Sequence, residues 1–451
     1  MYFSHMAYRY LSLRSDSGHR ELRWANRMPL DRIHQEIFPT RMKLLLSAYA
    51  CLPNAGSEPG NGWNWAVHLA RRGIEVTVLT RAENRDEIEA YQTKHTLANL
   101  HFAYVAIPGH MIRTTTGLHY FLWQWLAVGV ARQSHRRSAF QLIHHVTYTS
   151  IHVPTQLWRL GIPTVFGPVG GGQTTPSAML EYFGDARLSE VQRTVLTRLL
   201  AFSPFHRYWL SRMSAIFAAN QETLALIRAL GRPDARLQFD NGVSENYLAV
   251  QPKIYSGDNV GTRFLWVGRM LPRKALPMAL DALSMTTTPS TLTIVGDGLS
   301  SERVRSMIRE RRLDDRVYWE GRRLSLEEVR SEYVKHDALL FTSVRETSGV
   351  QLLEAMALGL PVICLDLHGA SDVVPDNAGF KVRVSTPVEV TLALAAAMDK
   401  FSGLGCDVKE AMSSASLEFA KKNTWPERAQ KAEELYRELL SLNTRALRDA
   451  G

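Results

Sequence analysis

Short apolar runs recur along the chain, and helical patterns lie between several of them. In the first half the runs are Lys43–Ala48, Val76–Leu79, Phe102–Ile107, Leu142–His145, Thr164–Gly167 and Ala215–Ala219. The second half repeats the theme with Arg263–Val267, Thr291–Val295, Val317–Glu320, Ala338–Thr342 and Val362–Leu365. Continuous apolar strands separated by helices imply parallel sheets covered on both faces. Helices are predicted at Asn61–Arg72, Ala275–Leu283, Ser301–Arg311, Ser325–Lys335 and Val350–Leu358, and a long amphipathic one at Trp425–Leu442. The turn signal Asp240-Asn241-Gly242-Val243 and the polar stretch Tyr255–Gly261 interrupt the pattern. The reading is α/β: two doubly wound, Rossmann-like domains, 42–240 and 263–424, joined by a linker over 241–262. Ligands of such sheets sit at the carboxyl ends of the strands, here in the cleft between the domains.

Composition narrows the class. With 451 residues, 22% charged and 45% hydrophobic, the chain is no disordered, collagenous or disulfide-dense protein. Its three cysteines, Cys51, Cys364 and Cys406, form neither a disulfide framework nor a zinc spacing, so a reduced cytoplasmic compartment is expected. No apolar run reaches the ~18 residues of a membrane span. Residues 1–41 are rich in Arg, His and Ser and lack the apolar stretch of a secretory signal. They are expected to be a disordered extension or a mis-assigned start ahead of Met42.

Charge is uneven. The net charge is +9, yet residues 1–240 hold 26 Lys and Arg against 16 Asp and Glu, and residues 241–451 hold 27 against 28. From Ala90 to Leu180 there is no Asp or Glu, while Lys94, Arg113, Arg132, Arg136, Arg137, Arg159 and eight histidines fall there. Such a field attracts anions: nucleic acid, anionic lipid or a diphosphate acceptor, with a solvated basic face as the plain alternative. Within the tract, Gly117–Ala131 carries Tyr120, Phe121, Trp123 and Trp125 ahead of Arg132, Arg136 and Arg137. A helix there is roughly 22 Å long, too short to span a bilayer. It reads equally as a core helix or as one lying in a membrane interface. Val195–Ile216 interleaves aromatics with arginines in the same way.

Four loops following strand candidates carry the chemistry. In Ser343–Ile363, Glu346 lies after a strand and Glu354 about a turn and a half into the next helix, which Gly349 permits to start. The free backbone N–H groups of Ser348, Gly349 and Val350 then form an anion cradle at that helix start. Two acceptors beside an anion cradle suit a ligand with hydroxyls and a phosphate. Gly268-Arg269-Met270-Leu271-Pro272-Arg273-Lys274 places cations after another strand, suited to a diphosphate. Val295-Gly296-Asp297-Gly298 permits close approach, and Glu320-Gly321-Arg322-Arg323 offers backbone groups to a base edge.

These loops, in this order, resemble the retaining glycosyltransferases of family 4, which have the GT-B fold. The resemblance rests on Val267-Gly268-Arg269…Lys274, Ile294-Val295-Gly296-Asp297-Gly298, Val317…Gly321, Glu346 through Pro361-Val362-Ile363, and Gly369-Ala370-Ser371-Asp372-Val373-Val374. It covers about Met42 to Leu442. It implies that Glu354 binds the ribose and Glu346 the donor-sugar hydroxyls. Arg269 and Lys274 would hold the diphosphate, and Arg322 would lie beside the nucleobase. The loop Ala55–Trp63 resembles the family's glycine loop, with Gly60 and Gly62 letting backbone approach an anion. Gly167-Pro168-Val169-Gly170-Gly171-Gly172 resembles the form found in a subset that builds bacterial surface polysaccharides. Where the family has His-x-His near the reacting centre, this chain has His144 and His145; one of them can face the cleft, and His145 is favoured. Ala275, Thr347-Ser348-Gly349 and Asp372 depart from the usual Gly, Gly-Phe-Gly and Glu.

The resemblance implies a retaining hexosyltransferase using a UDP- or GDP-sugar and a lipid-linked or polysaccharide acceptor, at the cytoplasmic side of the plasma membrane. His144, Arg132, Arg136 and Arg137 would serve the acceptor side. The segment 425–451 is expected to cross back to the N-terminal domain. No Asp-x-Asp occurs, in keeping with chemistry that needs no metal or other cofactor. No nucleic-acid partner is expected. A nucleotide-sugar epimerase, a phosphorylase and a catalytically silent nucleotide-sugar binder remain the alternatives.

Overall fold

The computed structural model describes residues 41–108, 117–256 and 261–449. The N-terminal extension through residue 40, Arg113 and residues 257–260 lie outside them. Two parallel sheets form the frame. The first contains β1 (Lys43–Ser47), β2 (Glu75–Arg81), β3 (Leu100–Val105), β4 (Leu142–His145), β5 (Thr164–Val169), β6 (Ala215–Ala218) and β7 (Arg236–Leu237), in the order β3-β2-β1-β4-β5-β6-β7. The second contains β8 (Thr262–Val267), β9 (Ser290–Val295), β10 (Val317–Trp319), β11 (Ala338–Phe341), β12 (Val362–Asp366) and β13 (Gly379–Arg383), in the order β10-β9-β8-β11-β12-β13. All pairings are parallel. This is the GT-B arrangement of two Rossmann-like domains. Chain order reverses between β1 and β4, and again between β8 and β11. Loops leaving those strands therefore diverge and open a crevice.

Both faces of each sheet are covered. In the first, Leu45 and Ile143 point to the helix Gly117–Ser138 and pack with its Tyr120, Trp123 and Ala127. One residue along, the pleat turns His144 to the opposite face. There it meets Trp65 of the helix Ser57–Arg71 and Tyr436 of the helix Trp425–Asp449.

The chain passes between the domains twice, side by side. Val243 N–H donates to Asn423 O (3.1 Å) on the way out, and Trp425 N–H donates to Val243 O (2.9 Å) on the way back. Gly242 is needed because a Cβ there would lie 2.9 Å from Trp425 Cδ2. Arg428 ties the passages together, donating from Nε to Asn241 O (3.2 Å) and from Nη2 to Asn423 Oδ1 (2.7 Å). The returning helix then lies along the N-terminal domain, with Glu433 paired to Arg72 and Glu438 to Arg236.

Trp425 is buried against Trp65 and Gly242. Trp425→Ala should cost about 3–5 kcal/mol of unfolding free energy, read from a denaturant titration. A loss under about 1 kcal/mol would contradict the weight placed on this crossing.

Candidate functional site

The loop from β8 carries Gly268, Arg269, Arg273 and Lys274, and the loop from β11 carries Glu346. The structure brings them together at the crevice. Lys274 is only 4% exposed. Its ammonium pairs with Glu346, and Arg273 Nη1 reaches the same carboxylate oxygen at 2.7 Å. The Phe341 ring centroid lies 4.9 Å from the ammonium. Burial opposes ionisation of Glu346, but Lys274 and Arg273 outweigh it and draw the carboxyl down to about 2. Burial also lowers Lys274, against the pull of Glu346. Arg269 is exposed, and no ion pair to it occurs among the described residues. Gly296 is dictated by close approach, since a Cβ there would lie 1.9 Å from Gly268 O. Ala275 holds a left-handed φ of 46°, which explains why glycine suits that position.

The helix Val350–Ala357 begins directly after Gly349, whose φ is 74°, and no side chain caps it. Its first N–H groups therefore face the crevice side of the loop without intrahelical partners. Ser348 turns its hydroxyl away, donating to Asp240 and accepting from Asn241 Nδ2 at 2.7 Å. Glu354 accepts from Tyr333 Oη–H at 3.1 Å, and burial pushes its carboxyl up to about 7.

The N-terminal domain grips the same loop. Gln173 Nε2 donates to Thr347 Oγ1 (3.1 Å), and Asn220 Nδ2 donates to Thr347 O (3.0 Å). Gly170 makes room for that threonine, because its Cβ would lie 2.9 Å from Thr347 Cγ2. Arg345 Nε meets Glu190 Oε1 at 3.0 Å, and Glu190 also holds Arg193 and the Thr175 hydroxyl. Gln221 N–H donates to Asp372 Oδ2 at 2.9 Å. Thr347 and Asp372, two departures from the usual pattern, are thus both contacts between the domains.

Several sequence-based expectations need correction. His145 does not face the cleft. Its Nδ1–H donates to Ser47 Oγ (2.7 Å), and its Nε2 accepts from Gln124 Nε2 (3.2 Å) beside the Tyr120 hydroxyl (3.0 Å). His144 is equally enclosed, donating to Gly167 O (2.8 Å) and accepting from Tyr436 Oη–H (2.5 Å). Both are fully buried, and burial lowers each imidazole to about 3. They are neutral core groups because helices cover both faces of β4. Gly60 and Gly62 lie inside the helix Ser57–Arg71, where a Cβ would meet Ala55 O at 2.0 Å and Ala50 O at 2.1 Å; they permit packing rather than approach to an anion. Arg322 turns outward to Glu328 (2.6 Å) and Glu320 (2.9 Å). Arg132, Arg136 and Arg137 are exposed near the end of Gly117–Ser138, where the chain turns into the start of β4, at the sheet edge opposite the crevice.

Three crevice residues escaped the sequence reading: Arg273 as the partner of Glu346, and the carboxyls Glu58 and Asp240. Glu58 accepts from Tyr148 N–H at 3.1 Å. Burial, with repulsion from Asp240, pushes Glu58 up to about 7, and burial, with repulsion from Glu346, takes Asp240 to about 6. Only the place of Asp240 as the first residue of the predicted turn hinted at it.

Comparison with known proteins converges. Residues 261–401 match the family model described as "Glycosyl transferases group 1", and residues 63–241 match "Glycosyl transferase 4-like domain". A lipopolysaccharide 1,6-galactosyltransferase of Escherichia coli (strain K12) is 36% identical over 121 residues, 26% of this chain. The match spans 34% of that relative's length. Among solved structures, sucrose-phosphate synthase from Thermosynechococcus elongatus superposes with a TM-score of 0.65 at 18% identity, over 89% of this chain and 100% of that one. Anabaena Alr3699/HepE, in complex with UDP and glucose, gives 0.54 at 18% identity, over 88% and 99%.

Glu58 provides a test of the crevice electrostatics. A carboxyl raised from 4.5 to about 7 binds its proton more tightly in the folded chain. Its stabilising contribution is present below pH 4.5 and lost as pH rises through 7. Glu58→Gln keeps the acceptor for Tyr148 and should raise stability at pH 8 by about 1–2 kcal/mol, with little change at pH 4. Equal thermal midpoints for both proteins at pH 8 would contradict this.

Proposed function

Because the chain belongs to the glycosyltransferases of family 4 and has their GT-B fold, we propose that it transfers a hexosyl unit from a UDP- or GDP-sugar. The acceptor is a lipid-linked glycan or polysaccharide of the cell surface, met at the cytoplasmic face of the plasma membrane. Transfer proceeds with retention and without a metal ion. The observation carrying this reading is the buried Lys274–Glu346–Arg273 cluster beside the uncapped start of Val350–Ala357. Cations, free N–H groups and a second carboxylate, Glu354, match a diphosphate, a sugar and a ribose in that order. The galactosyltransferase relative and the UDP-bound neighbour support a UDP-hexose and a surface glycan.

In this reading the diphosphate draws on Lys274, Arg273 and Arg269. Glu346 receives hydroxyls of the sugar and Glu354 those of the ribose. As the bond from anomeric carbon to phosphate oxygen breaks, negative charge grows on the leaving diphosphate. Lys274 stabilises that charge where little water screens it. The acceptor hydroxyl attacks from the same face, and the departing phosphate oxygen takes its proton. No protein nucleophile is required.

Calorimetric titration with UDP and GDP should show micromolar binding of one of them. Glu354→Ala should weaken it by about tenfold or more, the worth of a charged hydrogen bond. Lys274→Met should lower kcat by about 100- to 1000-fold, the scale of one lost transition-state donor. Wild-type behaviour in both variants would refute the assignment. Transfer rates should also be unchanged by EDTA; a loss restored by added magnesium would overturn the metal-free step.

A further inference from the structure

We infer that the acceptor sugar carries an acidic group, a phosphate or a carboxylate, which Arg345 receives in a cavity between the domains. The inference rests on the transfer reading above and narrows its acceptor. The cavity holds about 410 Å³, within the range of small-molecule sites and enough for one sugar ring with its substituent. It opens beyond the ends of β4 and β5. Ser150 and His152 follow the first of these strands, Gly171 follows the second, and Arg193 and Leu196 come from the helix Arg187–Leu200. Among the described residues, Arg345 is the one lining residue from the C-terminal domain. Gly171 keeps the space open: its φ is 96°, and a Cβ there would lie 3.2 Å from Ser150 Oγ. The glycine triplet thus divides its tasks. Gly170 admits Thr347, Gly172 clears Thr223, whose Cα a Cβ would meet at 2.6 Å, and Gly171 leaves the cavity free.

Charge decides the occupant. No Asp or Glu lines the cavity among the described residues. Behind it, one carboxylate, Glu190, serves two guanidinium groups. Arg193 takes it through Nε (3.1 Å) and Nη2 (2.7 Å) and donates from Nη1 to Gln173 O (3.1 Å). The Thr175 hydroxyl donates to the same Glu190 oxygen at 2.6 Å. Arg345 is left with an ion-pair contact from Nε to Glu190 at 3.0 Å, without the alignment of a hydrogen bond. No hydrogen bond from its Nη1 or Nη2 occurs among the described residues. Burial, followed by the nearby Arg193, draws Arg345 down to about 10, because both disfavour a second positive charge there. A forked donor with surplus charge matches a phosphate or a carboxylate, and a neutral sugar would leave it short of acceptors. Position assigns the group to the acceptor. Arg345 directly precedes Glu346, so a ligand in the cavity abuts the donor sugar, while the rest of the wall belongs to the N-terminal domain.

The test is a calorimetric titration of the full chain saturated with UDP or GDP, whichever it binds. Glucose 6-phosphate and glucuronate should each bind at least about tenfold more tightly than glucose, the worth of a charged hydrogen bond. The order of the two acids tells phosphate from carboxylate. Arg345→Gln should abolish the preference for acids. Glu190→Gln should strengthen it, because the arginines then lack their counter-ion; a contact that merely holds the domains together would be weakened by both changes alike. Leu196→Glu, at the exposed rim, should weaken acid binding by repulsion without altering either partner. Nucleotide binding should persist in each variant, which shows that the chain is folded. Equal binding of glucose and glucose 6-phosphate, or equal weakening by Arg345→Gln and Glu190→Gln, would overturn the inference. So would inorganic phosphate binding as tightly as the sugar phosphate, which would make this an ion site. A loss in Arg345→Gln that is confined to UDP-glucuronate against UDP-glucose would place the acid on the donor and overturn it too. If neither nucleotide binds, the donor reading fails by itself, and the loss or survival of acid binding in Arg345→Gln still decides the cavity.

Discussion

Everything at the crevice depends on where the chain changes domains. A parallel sheet places its useful loops at one edge, and two such edges must be held face to face before they form a site. Here the holding element is a pair of adjacent passages, Val243 outward and Trp425 back, joined by a parallel bridge and pinned by Arg428. Asn241, in the outward passage, accepts from Asn61 of the first domain at 2.8 Å and donates to Ser348 of the second. One short stretch of linker therefore sets both the angle of the domains and the position of the loop that carries Glu346.

Within that frame the electrostatics divide by side. Cations dominate the loop from β8, where Glu346 is held ionised. Opposite, burial makes Glu58 and Asp240 hold protons more tightly than free carboxyls do, with Asp240 repelling Glu58 and Glu346 repelling Asp240. One wall carries fixed charge, and the other presents groups that change charge near neutral pH. Glu190 serves a different end, gathering Arg193 from one domain and Arg345 from the other into one contact between them.

Much of this was legible in the sequence. Buried parallel strands read as unbroken apolar runs, so β1, β4 and β11 fall within a residue or so of their expected bounds. The strands that escaped are β7, two exposed residues, and β13, whose Gly-Phe-Lys-Val-Arg mixes polarity. Lys274, Glu346 and Glu354 could be singled out because each follows a strand within one local motif. The histidines misled because position along β4 says nothing about what lies above it. Tyr436, almost three hundred residues away, encloses His144, and Tyr120 with Gln124 encloses His145. Asp240 and Glu58 escaped for the same reason: their proximity exists only after the crossing forms.

Glu346 is the counter-ion of Lys274 and Arg273, and this shapes what can displace it. A bare inorganic diphosphate must break the contacts of Glu346 with Lys274 and Arg273 and leaves that carboxylate buried with nothing to accept. In the function proposed above, a nucleotide sugar would take the same cations but return hydroxyl donors to the carboxylate it dislodges. On that proposal the cluster would penalise small anions and admit a ligand whose charge and hydroxyls arrive as one molecule. Selectivity against free phosphates would then follow from the pairing of Glu346 with Lys274 and Arg273.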